Sequence, residues 1–315
     1  MPNVLHSGDL GDIIYALPVV KAMGDPGIFY ITTRPWTKAM TPDRFDTIAP
    51  LLRAQSYIKG AEWWRGEHPV VDMSTFRSRS GRGLNLVAWQ AQAVGVTPWV
   101  CQEKWLEVEP DEGMNGRILL HRSARYHNDL FPWTETVQAV GKSGLFIGPD
   151  YDFWAFRNNF GEVEHRPAKD YLELARWIAG CEVFIGNQSS PFAIAEGLKH
   201  ESVLEVWPTR KDCCYSRGNV QHVVGDEGFS LRGVRIRTQP KYFETSNPSL
   251  PITFHAGLEL QVVRFERTEW SGACAKGVIA LRVPVAIRNI QRRRDCHEIS
   301  ETEYDGKIRR LRGLA

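Results

Sequence analysis

Short apolar runs alternate with amphipathic stretches along the first two thirds of the chain. The runs have the composition of buried strands, and the stretches between them repeat apolar residues at the spacing of one helix face. Alternation of this kind predicts a parallel sheet with helices on both faces. The predicted strands are 3–6, 27–33, 56–58, 70–73, one from 117, 144–148, 183–185 and 203–207; the predicted helices are 12–23, 43–53, 86–94, 132–140, 151–160, 170–179 and one from about 190.

The alternating pattern occurs twice, and a polar, turn-rich segment at 110–116 separates the two halves. We therefore predict an α/β protein with two Rossmann-like, doubly wound domains, 1–112 and 113–225, which face each other across a cleft. Ligands of such folds bind at the carboxyl ends of the strands. The pattern weakens afterwards, and 226–315 is predicted to be a linker and a basic C-terminal extension of uncertain fold, with strand-like segments at 252–263 and 278–287.

The segment 183–198 is the most informative stretch of the second half. It predicts a buried strand, a polar turn and a helix, with Ser189 or Ser190 as the N-cap and Pro191 in the first turn. The N–H groups and the positive dipole end of such a helix form a site for phosphate. The alternative is an ordinary strand-to-helix connection. The predicted binding residues here are Gly186, Asn187, Gln188, Ser189 and Ser190.

A second turn of this kind follows the first strand. Gly8 and Gly11 allow the backbone to approach a ligand, and Asp12 lies at the helix start. The spacing matches neither the dinucleotide fingerprint nor the P-loop. Asp12 is a candidate general base or ligand of a substrate hydroxyl, or else a helix-end charge that only favours the dipole.

Basic side chains follow two of the predicted strands. Arg122 and Arg125 would project into the cleft, where guanidinium groups suit phosphate, unless they are ordinary surface arginines. A second basic loop is either solvated surface or a loop that binds an acceptor. It contains Arg77, Arg79 and Arg82.

Composition excludes few functions. Charged residues make up 24% and the net charge is +2, so total charge does not indicate a nucleic-acid partner. The N-terminus lacks the pattern of a signal peptide and no apolar run is long enough for a membrane span, so a cytoplasmic protein is expected. The six cysteines form no CxxC pair, and free thiols are expected.

Two motifs resemble the ADP-heptose:lipopolysaccharide heptosyltransferase-like glycosyltransferases of family 9, which have the GT-B fold. Residues 10–18, Leu-Gly-Asp-Ile-Ile-Tyr-Ala-Leu-Pro, resemble the N-terminal motif of that family, in which the aspartate is the proposed catalytic base. Residues 172–198 resemble its C-terminal signature, which holds the diphosphate of a nucleotide sugar. The resemblance covers about residues 3–210.

The resemblance implies a glycosyltransferase that moves a sugar from a nucleotide-sugar donor, held by the domain 113–225, to a hydroxyl acceptor, held by the domain 1–112. Asp12 would deprotonate the acceptor, and the helix end at Ser189 and Ser190 would bind the leaving diphosphate. No cofactor or metal is expected, because the helix end and the arginines offset the phosphate charge and no Asp-x-Asp pair is expected near the cleft. Residues expected to bind the nucleotide sugar are Gly11, Arg122, Arg125, Gly186, Asn187, Gln188, Ser189, Ser190 and Glu196, the last through a ribose hydroxyl.

The second motif departs from the family pattern. Where the family has an acid, a glycine and a histidine, this chain has Gln188, Ser190 and Ala193. These departures favour one alternative, a nucleotide-binding or scaffold protein that kept the fold and lost catalysis. The basic tail favours another, a phage-type glycosyltransferase that acts on modified bases in DNA rather than on a saccharide.

Overall fold

The computed structural model describes residues 3–24, 27–34, 40–66, 70–79, 85–237, 252–256 and 259–263. The chain forms two compact units, Met1–Thr238 and Gln239–Ala315. The described part of the second unit is an antiparallel hairpin of Ile252–Ala256 and Glu259–Val263. Several expectations fall outside the described residues, namely those for Arg82, for two of the six cysteines (Cys274 and Cys296), and for most of the extension after 237, including its strand-like segment at 278–287 and its basic end.

The first unit begins with a four-stranded sheet in which every pair is parallel, in the order β3-β2-β1-β4. From β1 the chain builds outward through β2 and β3, and then returns to the other side of β1 with β4. The elements are β1 (Asn3–His6), α1 (Leu10–Ala22), β2 (Gly27–Ile31), α2 (Pro42–Arg53), β3 (Ile58–Trp63), β4 (Val70–Asp72), α3 (Phe76–Arg79) and α4 (Leu86–Ala93).

A six-stranded parallel sheet follows, in the order β10-β9-β8-β5-β6-β7. The predicted fold class, two doubly wound parallel sheets, is confirmed. The elements are β5 (Ile118–His121), α5 (Trp133–Val140), β6 (Gly144–Phe146), α6 (Asp150–Phe160), β7 (Glu164–His165), α7 (Tyr171–Gly180), β8 (Val183–Asn187), α8 (Ser190–Leu198), β9 (Ser202–Glu205) and β10 (Val220–Val223).

One apolar core joins the two halves. Helix α1 is buried along eight consecutive residues, from Ile13 to Val20, and it continues through Pro18. A helix that is apolar on every side must be covered on every side. Here α1 lies between its own half and α8 of the second half, and both sheets belong to one compact unit.

The connection between the halves is packed against α8. The N–H groups of Trp105 and Leu106 both donate to the carbonyl oxygen of Gly197, at 3.0 and 3.1 Å. A Cβ atom at Gly197 would lie 2.6 Å from Nε1 of Trp105. The absence of a side chain at this position therefore allows the connection to lie directly on the helix.

A short hairpin, β11 (Phe229–Leu231) and β12 (Val234–Ile236), ends the first unit. The side chains of Phe229, Leu231 and Ile236 are buried in a second apolar core, where Phe229 stacks on Phe131 with 5.5 Å between ring centres. The sequence assigned everything from 226 onward to an extension. The hairpin belongs instead with the second sheet, because its apolar side chains complete that core.

No helix in the described ranges is long and apolar enough to cross a bilayer. The four cysteines that lie in those ranges are free thiols, as expected. They are Cys101, Cys181, Cys213 and Cys214.

Candidate functional site

A cleft of about 580 Å³ lies where the carboxyl ends of the two sheets meet. In each sheet the strand order reverses at one place, between β1 and β4 and between β8 and β5. Open α/β sheets bind ligands at this topological switch point, because the loops diverge there and leave a crevice. The loops after β1, β5 and β8 line the cleft, and several helices begin at it, among them α1, α6, α7 and α8.

Three of these helices, α1, α6 and α8, begin at the cleft without a side-chain cap, and in α1 and α8 the N-cap is a polar residue. Ser189 is the N-cap of α8, yet its hydroxyl donates to the carbonyl oxygen of Asn187 at 3.1 Å and lies 3.1 Å from Nδ1 of His121. Asp9, the N-cap of α1, makes no capping bond either. The first backbone N–H groups of α1 and α8 are therefore available to a ligand. A Cβ at Gly11 would lie 3.8 Å from the Cα of Ser190, so the two helix ends are neighbours.

Asp12 lies in the first turn of α1, beside the N-terminal end of α8. Its Oδ1 accepts a hydrogen bond from the guanidinium of Arg77 at 2.7 Å. The carboxylate side chain is 12% exposed and that of Arg77 is 46% exposed. Asp12 is thus placed at the cleft wall with one oxygen held by a cation.

A series of buried hydrogen bonds fixes the backbone around Asp12. Gln90 on α4 donates through Nε2 to the carbonyl oxygen of Asp12 at 2.8 Å, and its Oε1 lies 3.0 Å from Nε2 of His6. The Nδ1 atom of His6 accepts from the N–H of Gly8 at 2.9 Å, so the proton of the imidazole is on Nε2. Burial lowers the pKa of His6, which keeps this link neutral.

Gly8 and Gly11 allow a matched test of this packing. A Cβ at Gly8 would lie 2.6 Å from the His6 ring and 2.7 Å from Cβ of Asp12, whereas one at Gly11 would make ordinary contacts. We expect Gly8→Ala to destabilise the fold by about 1–3 kcal/mol through overpacking. Gly11→Ala should leave stability unchanged or raise it slightly, since alanine favours helix. Urea unfolding of both variants measures the difference, and equal stabilities would contradict it.

Arg125 follows β5 and is exposed at the cleft on a loop that Asn187 holds in place. Oδ1 of Asn187 accepts from the N–H of Ser123 at 3.1 Å, and Nδ2 donates to the carbonyl oxygen of Arg125 at 2.5 Å. The next residue, Tyr126, adopts a left-handed backbone with φ of +59°. The guanidinium of Arg125 lies 3.7 Å from Asp9, which also pairs with Arg44 at 3.5 Å.

Charges in the cleft are balanced, since the lining residues include five cations and five acids. An anion would therefore be selected by position rather than by a general positive potential. The cations are Arg44, Arg77, Arg125, Lys169 and Arg210, and the acids are Asp9, Asp12, Asp152, Asp170 and Asp212.

The expectation that no Asp-x-Asp pair lies near the cleft is wrong, because Asp150 and Asp152 form one at the start of α6 and Asp152 lines the cleft. Burial raises the pKa of Asp152 to about 6, although its carboxylate accepts a hydrogen bond from the N–H of Ala124. The carboxylate of Asp150 is exposed and lies 3.8 Å from Nδ1 of His165. The two carboxylates are turned to different partners, and the role supported for Asp152 is to fix the loop that carries Arg125.

Two cleft side chains stay uncharged at neutral pH. Burial lowers the pKa of His121 to about 4 and raises the pKa of Tyr171 above its usual value. The hydroxyl groups of Tyr171 and Ser190 lie 2.6 Å apart at the start of α8. These groups offer the cleft hydrogen bonds without adding charge.

The expectation that Arg122 binds phosphate is corrected by the structure, because its guanidinium is already paired within the protein. Its guanidinium makes a bidentate pair with buried Glu205 on β9, with Nε–Oε2 and Nη2–Oε1 distances of 2.9 Å. Its side chain is 9% exposed and does not line the cleft. Glu205 also accepts from the N–H of Asn128 at 2.8 Å and from Nε1 of Trp133 at 2.9 Å. Arg122 therefore neutralises a buried carboxylate instead of meeting a ligand.

The expectation that Glu196 binds a ribose hydroxyl is also corrected by the structure. It is fully buried and pairs with Lys199 at 2.6 Å and with Arg217 at 2.8 Å, away from the cleft lining. Arg217 donates further to the carbonyl oxygen of His200 at 2.7 Å. A carboxylate enclosed by two cations stabilises the end of α8 and is not available to a ribose hydroxyl.

The remaining predicted residues divide into lining and supporting positions. Gly11, Gln188, Ser189 and Ser190 line the cleft with Asp12 and Arg125. Gly186 and Asn187 are buried behind it, where a Cβ at Gly186 would lie 2.7 Å from the Phe184 ring. The side chain of Gln188 accepts from the N–H of Trp207 at 2.7 Å and donates to the carbonyl oxygen of Arg210 at 3.0 Å.

Several cleft residues were missed by sequence reasoning. Arg77 was noticed only as part of a basic loop, and nothing in the sequence linked it to Asp12, 65 positions earlier. Asp9, Arg44 and Asp212 carry no spacing signal at all. Among the described residues, no group of three or more His, Cys, Asp or Glu is arranged to hold a metal ion.

A scan of the sequence against models of protein families found no match, and a search of curated proteins found none either. A search of solved structures did find matches. The heptosyltransferase WaaC of E. coli, solved with ADP-2-deoxy-2-fluoro heptose, is 12% identical; the match covers 70% of this chain and 92% of that one, with a TM-score of 0.46.

Two other matches are of the same kind. The E. coli ADP-heptose lps heptosyltransferase II is 13% identical over 71% of this chain and 92% of its own, with a TM-score of 0.46. A family 9 glycosyl transferase from Veillonella parvula is 10% identical over 70% of this chain and 86% of its own, with a TM-score of 0.44. These three proteins are named as heptosyltransferases or as a family 9 glycosyl transferase, the group that the two motifs of this chain resemble.

Proposed function

We propose that the protein is a glycosyltransferase that uses a nucleotide-sugar donor and a hydroxyl acceptor. One observation carries the proposal. Two uncapped helix ends, at Asp9 and Ser189, meet at one switch-point cleft, and the carboxylate of Asp12 lies in the first turn of one of them. A diphosphate at the helix ends would place the bond to its sugar beside that carboxylate.

The side chains fit the steps of such a transfer. Arg77 binds Oδ1 of Asp12, so Oδ2 is the oxygen that would accept the proton of the acceptor hydroxyl. The acceptor oxygen would form its bond to the anomeric carbon as the bond from that carbon to the phosphate oxygen breaks. The leaving diphosphate gains negative charge, which the helix N–H groups and Arg125 would stabilise.

Donor binding is the experiment that tests the proposal. The wild type is screened by thermal shift against nucleoside diphosphates and nucleotide sugars, ADP, UDP, GDP and ADP-heptose among them. We expect at least one of these ligands to raise the melting temperature by a few degrees. A ligand at about 100 times its Kd stabilises a protein by roughly 2.7 kcal/mol. If no member of the screen stabilises the wild type at millimolar concentration, the proposal fails.

Replacement of Arg125 shows where the ligand binds. We expect Arg125→Ala to weaken the affinity of any hit about tenfold, through the loss of one charge-assisted hydrogen bond at a half-exposed site. Lys142→Ala is the control, because Lys142 is exposed at the amino end of β6, on the opposite edge of the sheet. Equal affinity in both variants would place the ligand away from the cleft.

A nucleotide-binding protein without catalysis is the second candidate. It is favoured by Gln188, which stands where the resembled family has an acid and whose amide is bonded to the backbone of Trp207 and Arg210. Binding of a nucleoside diphosphate in the cleft, with neither transfer nor donor hydrolysis, would support this second candidate over the first.

A further inference from the structure

Helix α6 carries two large aromatic side chains that are exposed to solvent. Tyr151 is 71% exposed and Trp154 is 51% exposed, whereas Phe153 and Phe156 on the same helix are buried. The buried pair accounts for the packing of α6. The exposed pair contributes little to the core, and rings of this size usually bury most of their surface or contact a partner.

The exposed pair is continuous with the cleft. Tyr151 is itself a lining residue, one position after the start of α6. Residues three apart lie on the same face of a helix, with Cβ atoms about 5–6 Å apart. Tyr151 and Trp154, which we call the aromatic platform, therefore extend from the cleft along the outer surface of α6.

The outer ring of the platform is held in position. The guanidinium of Arg157 lies 5.3 Å from the centre of the Trp154 ring, and its Nε donates to Glu162 at 2.6 Å. The ring of Phe153 is 5.5 Å away, between centres. Trp154 thus has a supported orientation and still leaves half of its surface open.

We propose that the aromatic platform binds the sugar units of an oligosaccharide acceptor that lie beyond the unit that reacts. Pyranose rings have apolar C–H faces that stack on aromatic rings and hydroxyl edges that bond to neighbouring charged groups, here Arg157 and Asp150. Two rings among charged side chains are too small for a stable protein interface. The proposal rests on the proposed function, since it concerns the acceptor of the same cleft.

The test uses the full chain and a glycan array of oligosaccharides from one to six units. Hits are then titrated by saturation-transfer NMR with the wild type and with Tyr151→Ala and Trp154→Ala. We expect both alanine variants to weaken binding of glycans with two or more units about tenfold, and Trp154→Ala to leave binding of single sugars unchanged. Tyr151→Phe, which keeps the ring, should bind like the wild type.

Trp99→Ala is the matched control. Trp99 is 69% exposed on the turn Pro98–Cys101 and does not line the cleft. The platform is refuted if no oligosaccharide on the array binds, or if Trp99→Ala loses as much affinity as Trp154→Ala. It is also refuted if the platform variants lose nucleoside diphosphate affinity instead, because the rings would then contact the donor base.

The two proposals fail in different ways. Diphosphate binding without any oligosaccharide binding would remove the platform and leave the glycosyltransferase proposal standing. Oligosaccharide binding that depends on Trp154, in a protein that binds no nucleotide, would keep the platform and remove the proposed transferase.

Discussion

Asp12→Asn is expected to lower the rate of sugar transfer about 10²–10⁴-fold while the donor affinity stays within about twofold of the wild type. Asparagine keeps an Oδ1 that can accept the hydrogen bond of Arg77, and it has nearly the same volume, so the cleft should keep its shape. It cannot take a proton from the acceptor hydroxyl. The measurement is kcat for transfer, or for donor hydrolysis, together with the Kd of the donor.

Asp212→Asn is the control for this prediction. Asp212 also lines the cleft and pairs with Arg210 at 3.6 Å, but it lies on neither helix end. Its replacement should change kcat far less than that of Asp12. Transfer within twofold of the wild type in Asp12→Asn would remove Asp12 as the base. Donor affinity that falls as much as kcat would show that Asp12 holds the donor instead.

Glu205→Ala should be among the most destabilising single substitutions in the first unit, at about 3–5 kcal/mol. The variant leaves the guanidinium of Arg122 buried without its charge partner, and it removes the acceptor of the N–H groups of Asn128 and Trp133. At about 2–4 °C for each kcal/mol, the melting temperature should fall on the order of 10 °C.

The control for Glu205 is an ion pair at the surface. Glu182 pairs with Arg232 while both side chains are about one third to one half exposed, so Glu182→Ala should cost no more than about 1 kcal/mol. Glu205→Gln keeps an acceptor oxygen and should lie between the two, which gives a measurable variant if the alanine protein does not fold. Similar melting temperatures for Glu205→Ala and Glu182→Ala would contradict the prediction.

The same network links stability to the candidate site. Arg122 and Asn128 are at the two ends of the loop that presents Arg125, and both bond to Glu205. A Glu205 variant that still folds should therefore also bind nucleotides more weakly, although Glu205 touches no part of the cleft lining.

Local signals were enough to predict most elements. The start of the predicted helix 170–179 is an example: Asp170 and Glu173 have the spacing of a capping box, and Oδ1 of Asp170 accepts from the N–H of Glu173 at 2.8 Å. The carboxylate of Glu173 bonds to the N–H of Lys169 rather than to that of Asp170, a small departure from the expected capping box. Caps and apolar periodicity act over a few residues, so they can be read along the chain.

The positions of the residues that line the cleft could also be predicted in part from the sequence. Parallel sheets bring the carboxyl ends of their strands to one edge, so Gly11, Asp12, Ser189 and Ser190 were expected together, and all four line the cleft. Which charged side chains join them was not readable. Arg122 and Arg125 are three residues apart in one loop, yet one is buried against Glu205 and the other faces the cleft.

By itself the sequence determined the alternation of strands and helices that forms two parallel sheets, and most helix ends, because periodicity and caps depend on near neighbours. Only the tertiary structure decided which partner each charged side chain contacts. Glu205 lies 83 residues from Arg122, Arg217 lies 21 from Glu196, and Arg77 lies 65 from Asp12. A charged side chain takes its role from the partner that the fold brings to it, and that partner leaves no trace in the local pattern.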